Sequence, residues 1–321
     1  EQIQPNNLLN RYKSLLVNDI KNLLPENSLN QALCPVTGEK DIQKSFQKMG
    51  MNYLVSQSLG NIYISPRPTF DLLNSFYLQS SAREFWLSNL LPTTNKIRQE
   101  KIVIPQLEWA SGFICQYIQQ NDLVMAEFLP NHWGYLNSAK EIFPNSNYRL
   151  VNALFDHEKK NIPVKDKDID KENLNNSFDV AFLFEALDRS SNPIDLLNNV
   201  IKGLKSGGLC FVTCLLSSGF EVQLLGENSD IFVPPERMNL FSYEGMLTLI
   251  NKTKSFELLE FSTPSVLDIS NVVENVKSIN NASFYKYIFE QRQDSELTQS
   301  FQNFLQLNRL GTFGRLVLKK I

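Results

Sequence analysis

The sequence predicts an α/β fold: a largely parallel sheet with helices on both faces, occupying residues 96–321. Three observations carry that expectation. LVMAEF (123–128), FDVAFLF (178–184) and LCFVTCLL (209–216) are short, almost unbroken apolar runs, the pattern of strands buried on both faces. Helical periodicity fills the stretches between such runs, which implies right-handed crossovers and covered sheet faces. Proline and glycine punctuate the joints, as in NPIDLLNNVIKGLKSGG (192–208).

Taken in order, residues 1–30 place Leu8, Leu9, Tyr12, Leu15, Leu16 and Ile20 at helical spacing, ending near Pro25. Residues 31–70 read as short strand-like pieces. Helical pattern returns over Phe70–Leu91, and Pro92 with the polar TTN that follows marks an expected boundary near residue 95. PQLEWASGFICQYIQQ presents Leu107, Ala110, Ile114 and Tyr117 on one helical face; YLNSAKEIF is a helix closed by Pro144, and YRLVNALF a second strand. The tract 156–172, dense in both charge signs and containing His157, reads as a solvated loop. Asn192 is the expected N-cap of a helix opened by Pro193, with Ile194, Leu197, Val200, Ile201 and Leu204 buried and Gly207-Gly208 as its stop. SYEGMLTLINKTK predicts a helix and FELLEFST a strand; 270–308 is a helical excursion before a closing strand, GRLVLKKI.

Composition narrows the function classes. The 321 residues are 42% apolar and 20% charged with a net charge of −3, the profile of a folded globular chain rather than a disordered one. No dense basic tract recommends nucleic acid as a partner. Apolar runs break within about ten residues, short of the roughly 20 that a membrane helix needs. Cys34, Cys115, Cys210 and Cys214 form no disulfide framework. The expectation is a cytoplasmic protein acting on a small molecule or engaging a protein partner.

Four landmarks, in order and spacing, carry a resemblance. They are CPVTG with IYISPRPTFDLLNSFY; AEFLPNHWGYLNSAKEIFP; FDVAFLFEALDRSSNPIDLL with KSGGLCFVT; and IFVPPERMNLFSYEGMLTLI. Together, from about Cys34 to Leu267, the chain resembles a bacterial group of class I S-adenosylmethionine-dependent methyltransferases in which a small zinc ribbon precedes the catalytic fold. The resemblance implies a Rossmann-like seven-stranded sheet whose last strand inserts antiparallel beside the fifth. It also implies a ribbon-like region over 1–95, S-adenosylmethionine as cofactor, and a small molecule or sugar as substrate.

The motifs depart from that family where its ligands sit. Zinc needs four soft or borderline donors; here Cys34 is followed by Thr37, and SQSLG offers Ser56 and Leu59, so no zinc is expected and Ile62, Tyr63 and Ile64 must hold the ribbon by packing. The cofactor loop of such proteins reads ExGxGxG. Glu127 and Phe128 stand, but the glycine positions hold Leu129, Asn131 and Trp133, with Gly134 one residue beyond. Asn152 stands where the second strand should end in an acid for the ribose, and Phe184 closes the strand before the post-strand motif. That motif keeps Glu185 and Leu187, but Asp188 and Arg189 replace its second acid and histidine; Arg237 in PPERMNLFS likewise stands where relatives carry histidine.

Arginine cannot act as a base near neutral pH, though it binds carboxylate or phosphate bidentately. Glu185, Arg189, Arg237 and His132 are the candidate catalytic residues. Glu127, Phe128, Leu129, Asn131, Gly134, Asn152 and Phe184 are the candidate cofactor contacts. Each has a plainer reading: Arg189 and Arg237 as a salt-bridged cluster, His132 as a packed turn residue, Glu127 as a carboxylate facing helix amides, Tyr243 as an ordinary helix residue, Arg67 as a structural clamp. Three functions stay open: a methyltransferase with a divergent loop, a non-catalytic pseudoenzyme filled by Leu129 and Trp133, or a pocket recruited for an anionic ligand.

Overall fold

A computed structural model describes residues 5–132, 134–152, 154, 174–275, 283–292 and 294–321. Helix α1 (Asn6–Leu23) leads into strands β1 (Ile42–Lys48), β2 (Met51–Ser56) and β3 (Ile62–Ile64), then α2 (Phe70–Gln79). A helical run follows through α3 (Ser81–Phe85), α4 (Leu91–Arg98) and α5 (Ile104–Tyr117). Next come β4 (Val124–Phe128), α6 (Gly134–Ile142), β5 (Asn147–Val151) and β6 (Phe178–Phe184). The chain continues through α7 (Ala186–Arg189), α8 (Pro193–Gly203), β7 (Leu204–Leu215), α9 (Phe220–Leu225), β8 (Asn239–Leu240), α10 (Tyr243–Thr253) and β9 (Phe256–Ser262). Helices α11 (Asp268–Glu274), α12 (Ser283–Lys286) and α13 (Ser295–Leu307) form the expected helical excursion before β10 (Phe313–Lys320).

The main sheet has the order β5-β4-β6-β7-β10-β9. Strands β5, β4, β6 and β7 pair in parallel, whereas β10 is antiparallel to both β7 and β9. The antiparallel closing strand is therefore where the sequence placed it. Six strands are described in this sheet, against the seven expected. All seven residues of β6 are buried, which explains a sequence apolar at every position but Asp179.

Proline and glycine were misread at two joints. Pro92 does not end the helical run; it stands in the first turn of α4. Trp86–Leu90 and Gln99–Val103 are π-helical turns that close just before Pro92 and Pro105. A proline has no N–H for the regular ladder, and the wider turn re-registers the helix so that it continues. Helix α8 ends at Gly203, not at Gly207-Gly208. Those glycines form a bulge within β7, with Gly207 at φ +76°, between the Phe178–Leu204 and Val180–Leu209 pairs. The α8 N-cap is as read, Asn192 Oδ1 accepting from the Asp195 amide, but Ile194 is exposed and Leu196 buried in its place.

The N-terminal region packs as an antiparallel sheet, β1-β2-β3-β8, whose last strand comes from residues 239–240. One buried cluster runs from Leu16 and Ile20 through Tyr53, Tyr63 and Ile64 to Leu316 and Leu318, so the two sheets share a core. The turns at Cys34 and Ser56 are joined by Asn61, whose Nδ2 donates to Cys34 Sγ at 3.7 Å and whose Oδ1 accepts from the Ser242 amide. Among the described residues no cluster of three or more His, Cys, Asp or Glu is placed to hold a metal ion. Nor, among them, is any helix long and apolar enough to cross a membrane. Arg67 is a clamp, donating to the Ile64 and Ser191 carbonyls and to Asn239.

Close backbone approach fixes Gly219 at the start of α9. A Cβ there would lie 2.3 Å from Thr312 Cα and 2.6 Å from Thr312 Oγ1. Gly219→Ala is expected to lower stability by about 1–3 kcal/mol through overpacking. Urea denaturation checks this; an unchanged midpoint would show that the contact yields freely.

Candidate functional site

The carboxyl ends of β4, β5 and β6 meet where the strand order reverses, with β5 on one side of β4 and β6 on the other. Ligands of open α/β sheets bind at such a crest. Each of these three strands ends in a non-glycine residue with a left-handed backbone: Leu129 at φ +49°, Asn152 at φ +53° and Glu185 at φ +53°. Such conformations cost on the order of 1–3 kcal/mol each and concentrate at functional sites. At Leu129 the backbone takes a shape that glycine adopts without strain, although the side chain is a buried leucine.

The loop between β4 and α6 is closed onto its surroundings. The Leu129 amide donates to the Val151 carbonyl, and the Leu154 amide to the Pro130 carbonyl. The Gly134 amide donates to His132 Nδ1 at 3.0 Å, and Asn131 Nδ2 to Glu236 Oε2 at 3.4 Å. His132 is buried between the rings of Trp86 and Tyr135, both at 5.7 Å. Burial, then the fields of Arg98, Arg83 and Arg189, push its pKa well below the ordinary value. With Nδ1 accepting, the neutral ring offers Nε2–H, a donor rather than a base. Trp133 and His157 lie outside the described residues.

Glu127 differs from its simplest expectation. Among the described residues its side-chain partner is Tyr148, whose Oη donates to Oε2 at 2.9 Å. Burial raises its pKa to about 8, against the lowering effects of Tyr148 and Arg189. Phe128 is buried at right angles to Phe178, and Phe184 stacks on Tyr135 with ring centres 4.3 Å apart.

The structure brings Glu185, Arg189 and Arg237 together. Arg237 Nη2 meets Glu185 Oε2 at 2.6 Å, and its Nη1 lies 3.8 Å from Asp188 Oδ2. Burial would raise the Glu185 pKa, but Arg237 and Arg189 overcome it and hold the pKa at about 2. Asp188 has no exposed surface; burial raises its pKa to about 7, opposed by Arg237, even though the Leu215 amide donates to Oδ2. Arg189 donates to the carbonyls of Glu185 (3.0 Å) and Phe184 (3.1 Å). Arg189 and Arg237 thus anchor the crest, and neither can accept a proton.

The sequence reading missed a second layer contributed by the N-terminal helices. Asp19 of α1 accepts from Ser80 Oγ and the Ala82 amide, both at 2.7 Å, and so pins the start of α3. This sets Arg83, buried over the rings of Tyr77 (5.5 Å) and Trp86 (4.9 Å). Arg83 Nη1 lies 3.9 Å from Glu236 Oε1. Only the adjacency of Glu236 to Arg237 hinted at this in the sequence; nothing local marked Arg83. Tyr243, by contrast, stacks on Phe261 at 4.5 Å as an ordinary packed residue.

No protein-family model matches the chain, and no curated protein sequence matches it either. Solved structures do match, at the level of fold. They include the plantazolicin methyltransferase BpumL in complex with SAH, 13% identical over 78% of this chain and 97% of that one, with a TM-score of 0.44. A possible histamine N-methyltransferase from Thermotoga maritima is 15% identical over 72% of this chain and 97% of its own, with a TM-score of 0.41. The cyclase SpnF is 12% identical over 66% and 80%, with a TM-score of 0.38. The chain itself shows a mixed six-stranded α/β sheet carrying an additional antiparallel sheet.

Proposed function

We propose that the chain is a methyltransferase-fold protein that binds a small molecule at the crest of β4, β5 and β6, with S-adenosylmethionine as its first candidate ligand and methyl transfer to a small molecule as its activity. The observation that carries this reading is the left-handed backbone kept at all three strand ends by residues that pay strain for it. The residues fit that ligand in backbone and not in side chains. Glu127 is held towards its neutral form by burial, Asn152 is an amide, and Glu185 is committed to Arg237. Bound S-adenosylmethionine would itself supply the activated methyl group. This chain's part would be to orient, since none of Arg189, Arg237 and His132 offers a base.

A second reading follows from that mismatch: the crest has been given over to a different ligand, and the chain is a pseudoenzyme. Calorimetric titration with S-adenosylmethionine and S-adenosylhomocysteine separates the two. The first reading expects saturable heat, with a matching rise in melting temperature once ligand exceeds its Kd. No heat and no shift at millimolar ligand would remove it and leave the second.

A further inference from the structure

The N-terminal region and the start of α8 enclose a cleft of about 350 Å³. Small-molecule sites run from roughly 300 to 1,000 Å³. The lining includes Leu33, Arg67, Thr69, Asn192, Pro193 and Ile194. Leu33, Thr69, Asn192 and Ile194 are exposed, so the cleft faces solvent. None of Glu127, Leu129, Asn152, Glu185 and Arg237 lines it, and its occupancy is independent of any ligand at the crest.

Arg67 is the one charged side chain among the described residues of that lining. It is 6% exposed, and its Nε and Nη1 are spent on the Ile64 and Ser191 carbonyls and on Asn239 Oδ1. Its Nη2 has no hydrogen-bond partner, and no carboxylate acts on its ionisation. Burial lowers its pKa to about 10, so it stays a cation at neutral pH. A buried guanidinium without a counter-charge is costly, and an anion brought against it offsets that cost. Two helices add to the field. Thr69 is the N-cap of α2 and Asn192 that of α8, so both helices start at the cleft with their positive ends. Asp71 and Asp195, the acids of those first turns, are exposed and lie outside the lining. Leu33 and Ile194, 53% and 40% exposed, give the cleft apolar walls.

We propose that this cleft binds a small organic acid, with the carboxylate or phosphate group held at Arg67 and an apolar body between Leu33 and Ile194. The guanidinium supplies an unopposed charge and free donors in a geometry that suits either oxyanion. The two helix starts add potential of the same sign. The apolar walls select an acid with a hydrocarbon body over a bare inorganic anion. Arg67 is then more than the clamp between the N-terminal sheet and Ser191: the same side chain that fastens the two regions floors a site between them.

The test titrates the full chain at constant ionic strength with sodium hexanoate, hexyl phosphate, hexanol and hexylamine, followed by two-dimensional amide NMR. The expected result is saturable shifts at the amides of residues 31–34, 67, 69 and 191–194 with at least one of the two acids. That acid should bind about tenfold or more tightly than hexanol, since a charge-assisted bond adds to the same apolar contact. Hexylamine should not bind. Tighter binding of hexanoate assigns a carboxylate, and of hexyl phosphate a phosphate ester. Leu33→Glu and Ile194→Glu each place a like charge at an exposed position, so the fold should hold while affinity for the acid drops roughly threefold. Ile194→Lys should raise it. Arg67→Gln should remove the preference for the acid over hexanol; if that variant does not fold, the two glutamate variants decide. Equal affinity for the acids and hexanol overturns the proposal, as does acid binding that both glutamate variants leave unchanged. Shifts confined to residues around 129, 152 and 185 place the acid at the crest and overturn it too, and so does the absence of saturable shifts with either acid.

Discussion

Arg237→Leu is expected to cost roughly 3–5 kcal/mol of folding stability at neutral pH, the largest effect of any single substitution at the crest. The substitution removes the 2.6 Å partner of Glu185 and the 3.8 Å partner of Asp188 together, leaving a fully buried Asp188 and a 30% exposed Glu185 side chain without their ion-pair partner. Protonation is their escape, so the deficit should shrink as pH falls towards 4, where both acids can go neutral. Glu185→Gln combined with Asp188→Asn should recover much of the loss, because an amide carries no charge to strand. Urea denaturation of the single and triple variants at pH 4 and 7 measures this. A loss independent of pH and unrelieved by the amides would mean that Arg237 acts by packing alone.

Glu127→Gln is expected to stabilise the protein at alkaline pH and to be nearly neutral in acid. The Glu127 pKa is raised from 4.5 to about 8, chiefly by burial. The folded chain therefore holds a proton that the unfolded chain releases. The stability this contributes is fully present below about pH 4.5 and is lost as pH rises towards 8. Glutamine cannot ionise, so its advantage should grow across that window to about 5 kcal/mol above pH 8. Asp188, raised to about 7, adds a loss in the same direction between its unfolded value of 3.8 and 7. Glu185, lowered to about 2, works oppositely and loses its contribution only as pH falls from 4.5 through 2. Denaturation midpoints of parent and variant at pH 5, 7 and 9 give the difference directly. A difference that stays constant with pH would show that Glu127 ionises freely in the fold.

The two experiments bear on function because both groups lie at the crest. A carboxyl held towards its neutral form by burial, against the hydrogen bond from Tyr148, gives a weaker acceptor to a ribose hydroxyl, and a carboxylate locked to Arg237 is unavailable as a base.

Much of the fold was legible because burial imposes period and length on sequence. FDVAFLF and LCFVTCLL could only be strands covered on both faces, and Asn192-Pro193 could only open a helix. The joints were less legible. Pro92 signals a stop in isolation, but a π turn before it absorbs the missing N–H, a device with no local sequence mark. The grouping of Glu185, Arg189 and Arg237 followed from motif alignment. What each arginine was free to do did not.

By itself, then, the sequence determined the alternating α/β texture, the buried strands and the helix start at Asn192-Pro193. Those are properties of residue type and spacing along one segment. Only the tertiary structure decided that burial holds Glu127 towards its neutral form, that Arg237 is spent on two acids, and that Arg83 arrives from an N-terminal helix beside Glu236. The physical reason is that charge states and unpaired donors are set by burial and by neighbours distant in the chain, and no single segment of sequence contains that information.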